Sequence, residues 1–581
     1  MEAKNKMQQY LVLLEDWARK WGMKINPQKC NLQYFTKKRV SAPIIRICNE
    51  IINYKKTQRL LGLVLDSPRL KWVDHIKYLK SESIRRINFL KVFSSSVKGS
   101  SAKILRMFYV SYIRAKIDYG SIIYASAKSA ELQKLEIIQN RAIRLILGAR
   151  NTSPIVSLQT EVYLPPLDIH RGELILKRFV KMICTQSHTS LELDLRNLED
   201  FTLDSFKCRA LEWSTKIGFS ARLTAISIPS LSESLPPWIS LSQYIIKEAT
   251  IQYMSTSIIF RDYVNDHYPN HILIYTDGSK LETETEKSVA CASYNENTKR
   301  VICWKIHGEH SVMSAELYAI YKALMTISDY TRSYVVFTDS LSALYALENS
   351  KPKYYKNILG NVREKLHYLN QRTEVILHWI KGHNGLRGNE IADRAANIGH
   401  QNNKSELYSL DLSEYFSIIN RKMLDYWKTD RRSTVDLTCK GLHLYNIDNR
   451  LCYNKYTLHL QNRRQQTLLT RLRIGHVGLN QYLKRFCMSD TEFCENPSCL
   501  GFEIPETIHH YLLECPEYID HRAQLETELN HKGINSLSVK VLLLGEERYL
   551  RKSRDIIKSL MKYIQATDRL KPYQRTQVTS L

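Results

Sequence analysis

Long apolar runs are missing from this chain. No stretch approaches the roughly 20 consecutive apolar residues that a membrane-spanning helix needs. The first residues, MEAKNKMQQYLVLLEDWARKW, also lack the order of charged, apolar and small residues that marks a secretory signal. The sequence therefore predicts a soluble intracellular protein, nuclear or cytoplasmic, without a membrane partner.

Acidic residues are too few to balance the basic ones. The chain has 58 Asp and Glu against 84 Lys and Arg, which gives a net charge of +26 over 581 residues. Such a charge favours nucleic acid as the partner. Between residues 77 and 118, ten basic side chains stand against only Glu82 and Asp118. We hypothesise that this region grips a duplex through its phosphates.

Cysteines show no disulfide framework. The twelve cysteines are scattered singly over most of the chain, as is typical of reduced, mostly buried thiols. One cluster near the C-terminus has spacings that would let short turns and a helix close a tetrahedral zinc shell of three sulfurs and one nitrogen. Its candidate ligands are Cys494, Cys499, His510 and Cys515. His509 could replace His510, Cys487 could compete for a place, and buried thiols beside a surface histidine are the alternative.

The hydrophobic pattern separates a central region from its two flanks. Residues 271–398 alternate β-like apolar runs with helix-like segments, which indicates an α/β fold. The regions before and after it are helical in pattern and basic. The Ser- and Pro-rich stretch 227–238 is typical of a linker.

Four acidic residues of the central region stand at the ends of predicted strands or on predicted helices. They are Asp277 in IYTDGSK, Glu316 in MSAELYAIYKAL, Asp339 in VVFTDSLSAL and Asp393 in GNEIADRAA. We expect Gly278 to turn the chain tightly after Asp277, and Ser340 to cap the helix that follows Asp339. Converging carboxylates cannot all stay ionised alone, and their hard oxygens suit Mg²⁺. The pattern therefore predicts a centre for two divalent cations that hydrolyses phosphodiesters.

The motifs YTDGS, AEL, TDS and GHNGLRGNEIAD, in that order, resemble the ribonuclease H domain of reverse-transcribing elements. The resemblance implies a mixed five-stranded sheet with flanking helices and cleavage of the RNA strand of an RNA–DNA hybrid. It also implies that the four acids bind two Mg²⁺ or Mn²⁺ ions, and that His383 assists proton transfer or product release. A loop histidine is otherwise most often a surface residue.

The flanks resemble non-LTR, LINE-type and jockey-like retrotransposon reverse transcriptases. LEDWARKWGMKINPQKCNLQYFTKK is similar to the segment after their catalytic Asp-Asp pair, and YVSYIRAKIDYGSIIYASA is similar to their thumb. The cysteine cluster resembles the Cys-Cys-His-Cys element that commonly follows the ribonuclease H domain. No Asp-Asp dipeptide occurs in the 581 residues, so we expect the fingers and catalytic palm to be missing, with no reverse transcriptase activity from this chain alone.

The combined prediction is a multidomain protein that binds RNA–DNA hybrid and other nucleic acid. Its predicted segments are a palm remnant at 1–50, a thumb-like and connection-like helical domain at 51–215, a linker at 216–267, a ribonuclease H domain at 268–400, a basic helical segment at 401–485, a zinc-knuckle-like element at 486–522 and a charged helical tail at 523–581. The leading hypothesis is a hybrid ribonuclease. The alternative is a catalytically retired, nucleic-acid-binding remnant.

Overall fold

A computed structural model gives the fold as two compact units. The helical unit comprises Met1–Gly172, Asp204–Phe206 and Leu424–Leu581, and the sheet unit comprises Glu173–Leu203 and Lys207–Met423. The structure describes residues 2–36, 41–184, 206–219, 235–236, 238–247, 257–283, 287–306, 308–349, 352–383, 385–402, 404–406, 408, 410–451, 460, 462–545 and 550–570. Within these ranges, no helix is long and apolar enough to cross a membrane.

A mixed sheet of seven strands forms the centre of the sheet unit. The strands are β1 (Ile245–Ile246), β2 (His271–Glu282), β3 (Lys287–Asn295), β4 (Arg300–Ile306), β5 (Ser333–Thr338), β6 (Val375–Trp379) and β7 (Ser405–Glu406). Their order is β7-β4-β3-β2-β5-β6-β1. Strand β3 is antiparallel to both of its neighbours, β2 and β4, and all other neighbouring pairs are parallel. The five longer strands form the mixed sheet that was predicted, and a two-residue strand extends each edge.

Helices cover both faces of this sheet. They are α1 (Ser257–His267), α2 (Val312–Met325), α3 (Leu341–Glu348), α4 (Lys356–Asn370) and α5 (Arg387–Gly399). Successive residues of a strand point to opposite faces of the sheet, so neighbouring residues of β5 contact different helices. Val336 belongs to a core with α2, α3 and α4, whereas Phe337 belongs to a core with α1 and α5.

The predicted linker at 216–267 is only partly a linker. Within it, β1 pairs with β6, and α1 buries Phe260 and Val264 against Phe337. Phe260 and Val264 are four residues apart, so they share one face of the helix and can cover the sheet. Most of the Ser- and Pro-rich stretch lies outside the described residues.

The helical unit combines segments that the sequence places far apart. Its helices, with those that also enter the ranges of the sheet unit, are Glu2–Lys20, Val73–Phe93, Ala102–Phe108, Ala115–Asp118, Ser121–Tyr124, Ser129–Leu147, Ile155–Val162, Leu167–Cys184, Phe206–Lys216, Leu412–Thr438, Leu442–Ile447, Arg463–Ile474, Asn480–Lys484, Ile519–Asn530, Val539–Leu544 and Leu550–Thr567. Short two-stranded ladders pair Asn31–Leu32 with Asn53–Tyr54, Arg46–Ile47 with Glu50–Ile51 and Thr57–Leu60 with Leu63–Asp66. The prediction of a helical, basic region therefore describes most of this unit.

The segment predicted as a charged tail, 523–581, is packed into a core. Ile556, Leu560 and Ile564 lie buried on one face of helix Leu550–Thr567 and share a cluster with Cys499 and Cys515. Because these residues are four positions apart, they form one apolar stripe along the helix. The many charged residues on the other faces make this stripe hard to recognise in the sequence. Residues 571–581 lie outside the described part.

Arginines of the predicted basic segment 401–485 hold the helical unit together. Arg463 donates hydrogen bonds to the carbonyl oxygens of Leu145 and Ile146 at 2.9 and 2.6 Å, and Arg471 donates to that of Gly148 at 2.8 and 3.0 Å. The last carbonyls of a helix have no partner within it. These two side chains therefore satisfy the C-terminal end of helix Ser129–Leu147.

A buried ionic cluster ties three distant segments of this unit together. The guanidinium of Arg473 donates to Glu161 at 2.8 Å, to Asp448 at 3.3 Å and to the carbonyl oxygen of Leu543 at 2.7 Å. Arg473 and both acids are buried. Removing one partner would leave an uncompensated buried charge, which is strongly destabilising.

The basic region 77–118 is not uniformly available for a ligand. Arg106 donates to the carbonyl oxygens of Val162 and Tyr163, and buried Arg114 pairs with Asp118 at 3.5 Å. Five lysines stay exposed, and they are Lys80, Lys91, Lys98, Lys103 and Lys77, of which Lys77 pairs with Asp74 at 3.6 Å. The contribution of this region to phosphate binding therefore falls mainly to lysines.

Candidate metal centre

The register of two parallel strands sets two of the acids side by side. Strand β5 pairs with β2 so that Thr338 lies opposite Thr276. Asp277 is the next residue of β2 and Asp339 directly follows the last residue of β5, so the two acids lie side by side at the end of this pairing. This juxtaposition follows from the backbone alone.

The third acid comes from a helix that crosses very close to β2. A Cβ atom at Gly278 would lie 2.5 Å from the backbone nitrogen of Glu316 and 2.6 Å from the carbonyl carbon of Ala315. Only glycine leaves room for this approach of α2. The predicted tight turn at Gly278 is wrong: β2 continues to Glu282, paired with β3 throughout, and Asp277 lies inside the strand. The strand extends because β3 supplies hydrogen-bond partners beyond Asp277.

Three carboxylates converge here, and the fourth lies beside them. One oxygen each from Asp277, Glu316 and Asp339 lie within 4.8 Å of one another. Asp393 stands on α5 outside this group, yet its charge acts on Asp277 and Asp339. His383 is 88% exposed in the loop before α5, with Nδ1 4.0 Å from the Asp393 carboxylate.

A chain of hydrogen bonds orients Asp393. Asn397, one turn later on α5, donates to the Asp393 carboxylate at 2.9 Å and accepts from the Ser279 hydroxyl at 2.8 Å. His400 contacts the Ser279 hydroxyl through Nε2 at 3.1 Å and that of Ser288 through Nδ1 at 3.0 Å. Because Ser279 donates to Asn397, its oxygen is free to accept from Nε2–H. The chain thus links Asp393 to strands β2 and β3.

Asp339 is enclosed by the loop that leads to α5. A Cβ atom at Gly382 would lie 2.7 Å from its Oδ2, and the Trp379 indole N–H donates to its carbonyl oxygen at 3.1 Å. The Asn389 side chain also hydrogen-bonds the carboxylate. The predicted capping role of Ser340 is wrong: it occupies the N-cap position of α3, but its side chain makes no capping hydrogen bond.

Burial and mutual repulsion raise the pKa values of the three converged carboxyls. Burial, then Asp339 and Asp393, raises the pKa of Asp277 to about 7. Burial and the two neighbouring aspartates hold the pKa of Glu316 well above its ordinary range. The pKa of Asp339 is also raised, with burial as the largest cause. The centre therefore carries an unfavourable concentration of negative charge that protons or cations would relieve.

The donor set fits a hard divalent cation. All converging groups are carboxylates, and Glu316 Oε2 is buried without a hydrogen-bond partner. Mg²⁺ and Mn²⁺ take oxygen ligands, and Mg²⁺ keeps several waters. A buried unpaired carboxylate oxygen beside two other acids is the arrangement that such an ion satisfies.

The cysteine cluster forms a second candidate metal site, in the helical unit. Cys494, Cys499, His510 and Cys515 are all buried, with ligand atoms within 4.8 Å of one another. Cys515 Sγ lies 4.0 Å from Cys494 Sγ and 3.7 Å from Cys499 Sγ, which lies 3.6 Å from His510 Nε2. A tetrahedral zinc site has edges of about 3.8 Å between sulfurs and about 3.6 Å from sulfur to nitrogen, given its bond lengths.

The two competing ligands lie outside this cluster. His509 is exposed and pairs with Glu514 at 3.1 Å. Cys487 is also exposed and free. Adjacent residues of a helical turn point about 100° apart, so only one histidine of the pair can face the cysteines, and it is His510.

Several residues of the centre were not predicted from the sequence. Asn397 and His400 act through contacts with distant strands, and Asn389 lies in GNEIAD, a motif from which the sequence predicts only Asp393 as a site residue. One local signal existed for Asn397: it follows Asp393 by four residues, the spacing of neighbours on a helix face. No local signal connects His400 to Ser279 and Ser288.

Comparisons with known proteins agree with this geometry. Residues 269–401 match the RNase H family, which confirms the resemblance noted in the sequence for residues 268–400. A ribonuclease H of Ruthia magnifica subsp. Calyptogena magnifica is 29% identical over 144 residues, which cover 22% of this chain and 94% of that protein.

Two further relatives are polymerases of Drosophila melanogaster mobile elements. The probable RNA-directed DNA polymerase from transposon BS is 30% identical over 148 residues, 25% of this chain. The RNA-directed DNA polymerase from mobile element jockey is 25% identical over 149 residues, 26% of this chain. In both cases the match spans only 16% of the relative's length.

We predict that Asp277→Asn stabilises the metal-free sheet unit above pH 7. Because the pKa of Asp277 is raised from 3.8 to about 7, the folded state holds its proton more tightly than the unfolded state does. The wild type therefore loses stability as pH rises from about 4 to about 7, by an amount on the order of a few kcal/mol. Hydrogen exchange of the backbone amides of β2 and β5, in chelator-treated protein, measures this loss of stability.

Asp262→Asn, at an exposed position of α1, is the matched control, with no expected effect. Added Mg²⁺ should slow exchange in the wild type more than in Asp277→Asn. Equal protection of wild type and Asp277→Asn at pH 8 without metal would show that Asp277 suffers no repulsion.

Proposed function

Residues 269–401 form a ribonuclease H domain, and on this premise we propose that the protein cleaves the RNA strand of RNA–DNA hybrids. The observation that carries the proposal is the convergence of Asp277, Glu316 and Asp339 within 4.8 Å, with Asp393 beside them. A ribonuclease H that had lost its role would be free to lose any of these acids.

The substrate class fits the relatives' chemistry. A polymerase that copies RNA into DNA produces an RNA–DNA hybrid, and two relatives are named as such polymerases. We infer that this chain derives from a non-LTR retrotransposon and acts on that hybrid. Discrimination against other duplexes requires contacts to the RNA 2′-hydroxyls.

The four carboxylates give the centre its proposed chemistry. Two divalent ions bound here would polarise the scissile phosphate, activate water and stabilise the leaving oxygen. Asp277, Glu316 and Asp339 must give up their protons to hold them, which their raised pKa values make costly without the ions. The hydrogen bond from Asn397 restricts the orientation of the Asp393 carboxylate beside the centre.

His383 is suited to proton transfer at the rim of the centre. It is 88% exposed and lies 4.0 Å from Asp393. We expect the imidazole to contact a bound substrate from this loop, and histidine is the side chain that most often serves as a general acid or base. We assign it the transfer of a proton to or from the reacting strand, or assistance to product release.

We predict that wild-type protein with Mg²⁺ cuts the RNA strand of a hybrid labelled on either strand. Asp277→Asn and Asp339→Asn should each lose more activity than the roughly 10–100-fold typical of outer-shell changes at metal sites. Asp329→Asn, an exposed carboxylate of the same unit, should retain full activity.

Double-stranded RNA and double-stranded DNA serve as substrate controls in the same assay. Release of no more RNA fragments by the wild type than by the two variants would refute the nuclease. Retained hybrid binding in that case would favour the retired nucleic-acid-binding protein.

We predict that Asn397→Ala raises the Mg²⁺ concentration for half-maximal cleavage about 10–100-fold, because Asp393 loses its orienting donor. The rate at saturating Mg²⁺ should fall much less. Gln401→Ala, on the exposed surface just after α5, is the control. A loss of maximal rate with unchanged Mg²⁺ dependence would show that Asn397 does not act through the metal ligand.

We propose that Cys494, Cys499, His510 and Cys515 bind a structural zinc ion. The sulfur and nitrogen distances of the cluster support this assignment, and all four positions of the shell are filled by protein, which leaves none for a substrate. The ion would join the zinc-binding turns to the core that contains helix Leu550–Thr567.

Neighbouring histidines provide a matched test of the zinc site. Elemental analysis should find one zinc per chain in the wild type and in His509→Asn, and much less in His510→Asn. Likewise Cys487→Ser should keep the metal and Cys499→Ser should lose it. Equal zinc content in both histidine variants would refute the assignment.

A further inference from the structure

A large cleft in the helical unit lies outside both metal sites. Its volume is about 960 Å³, and its walls come from residues 151–156, 439–446, 474–485 and 506–509. Most ligand pockets measure about 300–1,000 Å³, so this cleft is at the upper end. Neither the nuclease centre nor the zinc cluster uses it.

Uncompensated positive charge surrounds this cleft. Arg144, Lys440 and Arg485 line it, and Arg150 lies at its border, 5.3 Å from the ring of Tyr482. None of these four cations forms an ion pair with a carboxylate in the described part of the chain. The Nε atoms of Arg144 and Arg150 are buried without a hydrogen-bond partner. Buried donors of this kind are costly unless a ligand satisfies them.

The single carboxylate among the described lining residues does not offset this charge. Glu506 accepts hydrogen bonds from the guanidinium of Arg569 at 2.5 and 2.6 Å and from the backbone N–H of Asn480 at 2.6 Å. Its negative charge is therefore committed to Arg569. The cleft retains a net attraction for anions.

Two further groups point to an anionic ligand. Ser153 lines the cleft, is 3% exposed, and its hydroxyl has no hydrogen-bond partner. Burial, then Arg485, His443 and Arg150, lower the pKa of His476 to about 4. The imidazole is therefore neutral and can donate one hydrogen bond without adding charge.

We propose that this cleft binds the phosphodiester backbone of single-stranded nucleic acid. The unpaired cations and the Ser153 hydroxyl supply the phosphate contacts, and the net charge of +26 favours a polyanion over a small acidic metabolite. A sphere of 960 Å³ is about 12 Å across, about the width of the major groove alone, so a whole duplex cannot enter the cleft.

Fluorescence anisotropy with 12-nucleotide RNA, the matching DNA and the RNA–DNA hybrid tests the proposal. The full chain carries Asp277→Asn, which prevents cleavage without a chelator that could strip zinc. Lys440→Glu and Arg485→Glu should each weaken single-strand binding at least tenfold. Each should also lower the slope of log affinity against log salt by about 0.7 per lost phosphate contact.

Lys558→Glu is the control, because it makes the same charge change at an exposed position of the same unit away from the cleft. It should leave the affinity nearly unchanged. Ser153→Ala should weaken binding about three- to tenfold without altering the salt slope, since it removes a neutral donor.

Equal losses in Lys440→Glu, Arg485→Glu and Lys558→Glu would overturn the proposal in favour of general attraction. Hybrid binding that the cleft variants weaken as much as single-strand binding would refute the single-strand preference. Complete displacement of the oligonucleotide by low millimolar pyrophosphate would indicate a small-anion site instead. Cleavage by the wild type is measured separately, so the nuclease and the cleft can fail independently.

Discussion

The close packing of α2 on β2 at Gly278 is the constraint on which the centre depends. It brings Glu316 to Asp277, while the parallel pairing of β2 and β5 brings Asp339 to the same place. The acids repel one another, and nothing in their own chemistry holds them together. The hydrophobic layers on both faces of the sheet do so. The favourable free energy of folding of the whole unit therefore holds the acidic side chains together against their repulsion.

This constraint explains why the acids could be predicted and their geometry could not. The apolar run in YVVFTD and the helical spacing of Leu317, Ile320 and Leu324 are local patterns, and the structure places these apolar residues in the two cores of the sheet unit. Whether β2 stops at Asp277 depends on β3, which pairs with it to Glu282. The need for glycine at Gly278 comes from α2. Sequence patterns identified three acids that the structure brings together, but the predicted turn at Gly278 and the predicted cap at Ser340 were wrong.

The order of domains was the least predictable feature. The sequence suggests a linear series of segments, yet Arg473, Glu161 and Asp448 meet in one buried cluster of the helical unit. No pattern near Glu161 in the sequence indicates that its partner, Arg473, lies hundreds of residues away. The sequence also could not distinguish His509 from His510 as a zinc ligand, because both spacings suit zinc almost equally. In the structure the two side chains point in different directions from one helical turn, and only His510 faces the cysteines.

Net charge is a coarse guide to where a protein can bind nucleic acid, and in this chain much of the arginine is used internally. Arg463 and Arg471 satisfy carbonyl groups at the end of a helix, and Arg473 balances two buried acids. The planar guanidinium suits such multiple, directed hydrogen bonds better than an ammonium group does. Binding surfaces are therefore better sought where cations lack partners than where basic residues are dense in the sequence. By that criterion the basic region 77–118 is the weaker candidate for a nucleic-acid-binding surface, because Arg106 and Arg114 already have partners within the protein. The cleft, with its unpaired donors, is the stronger candidate.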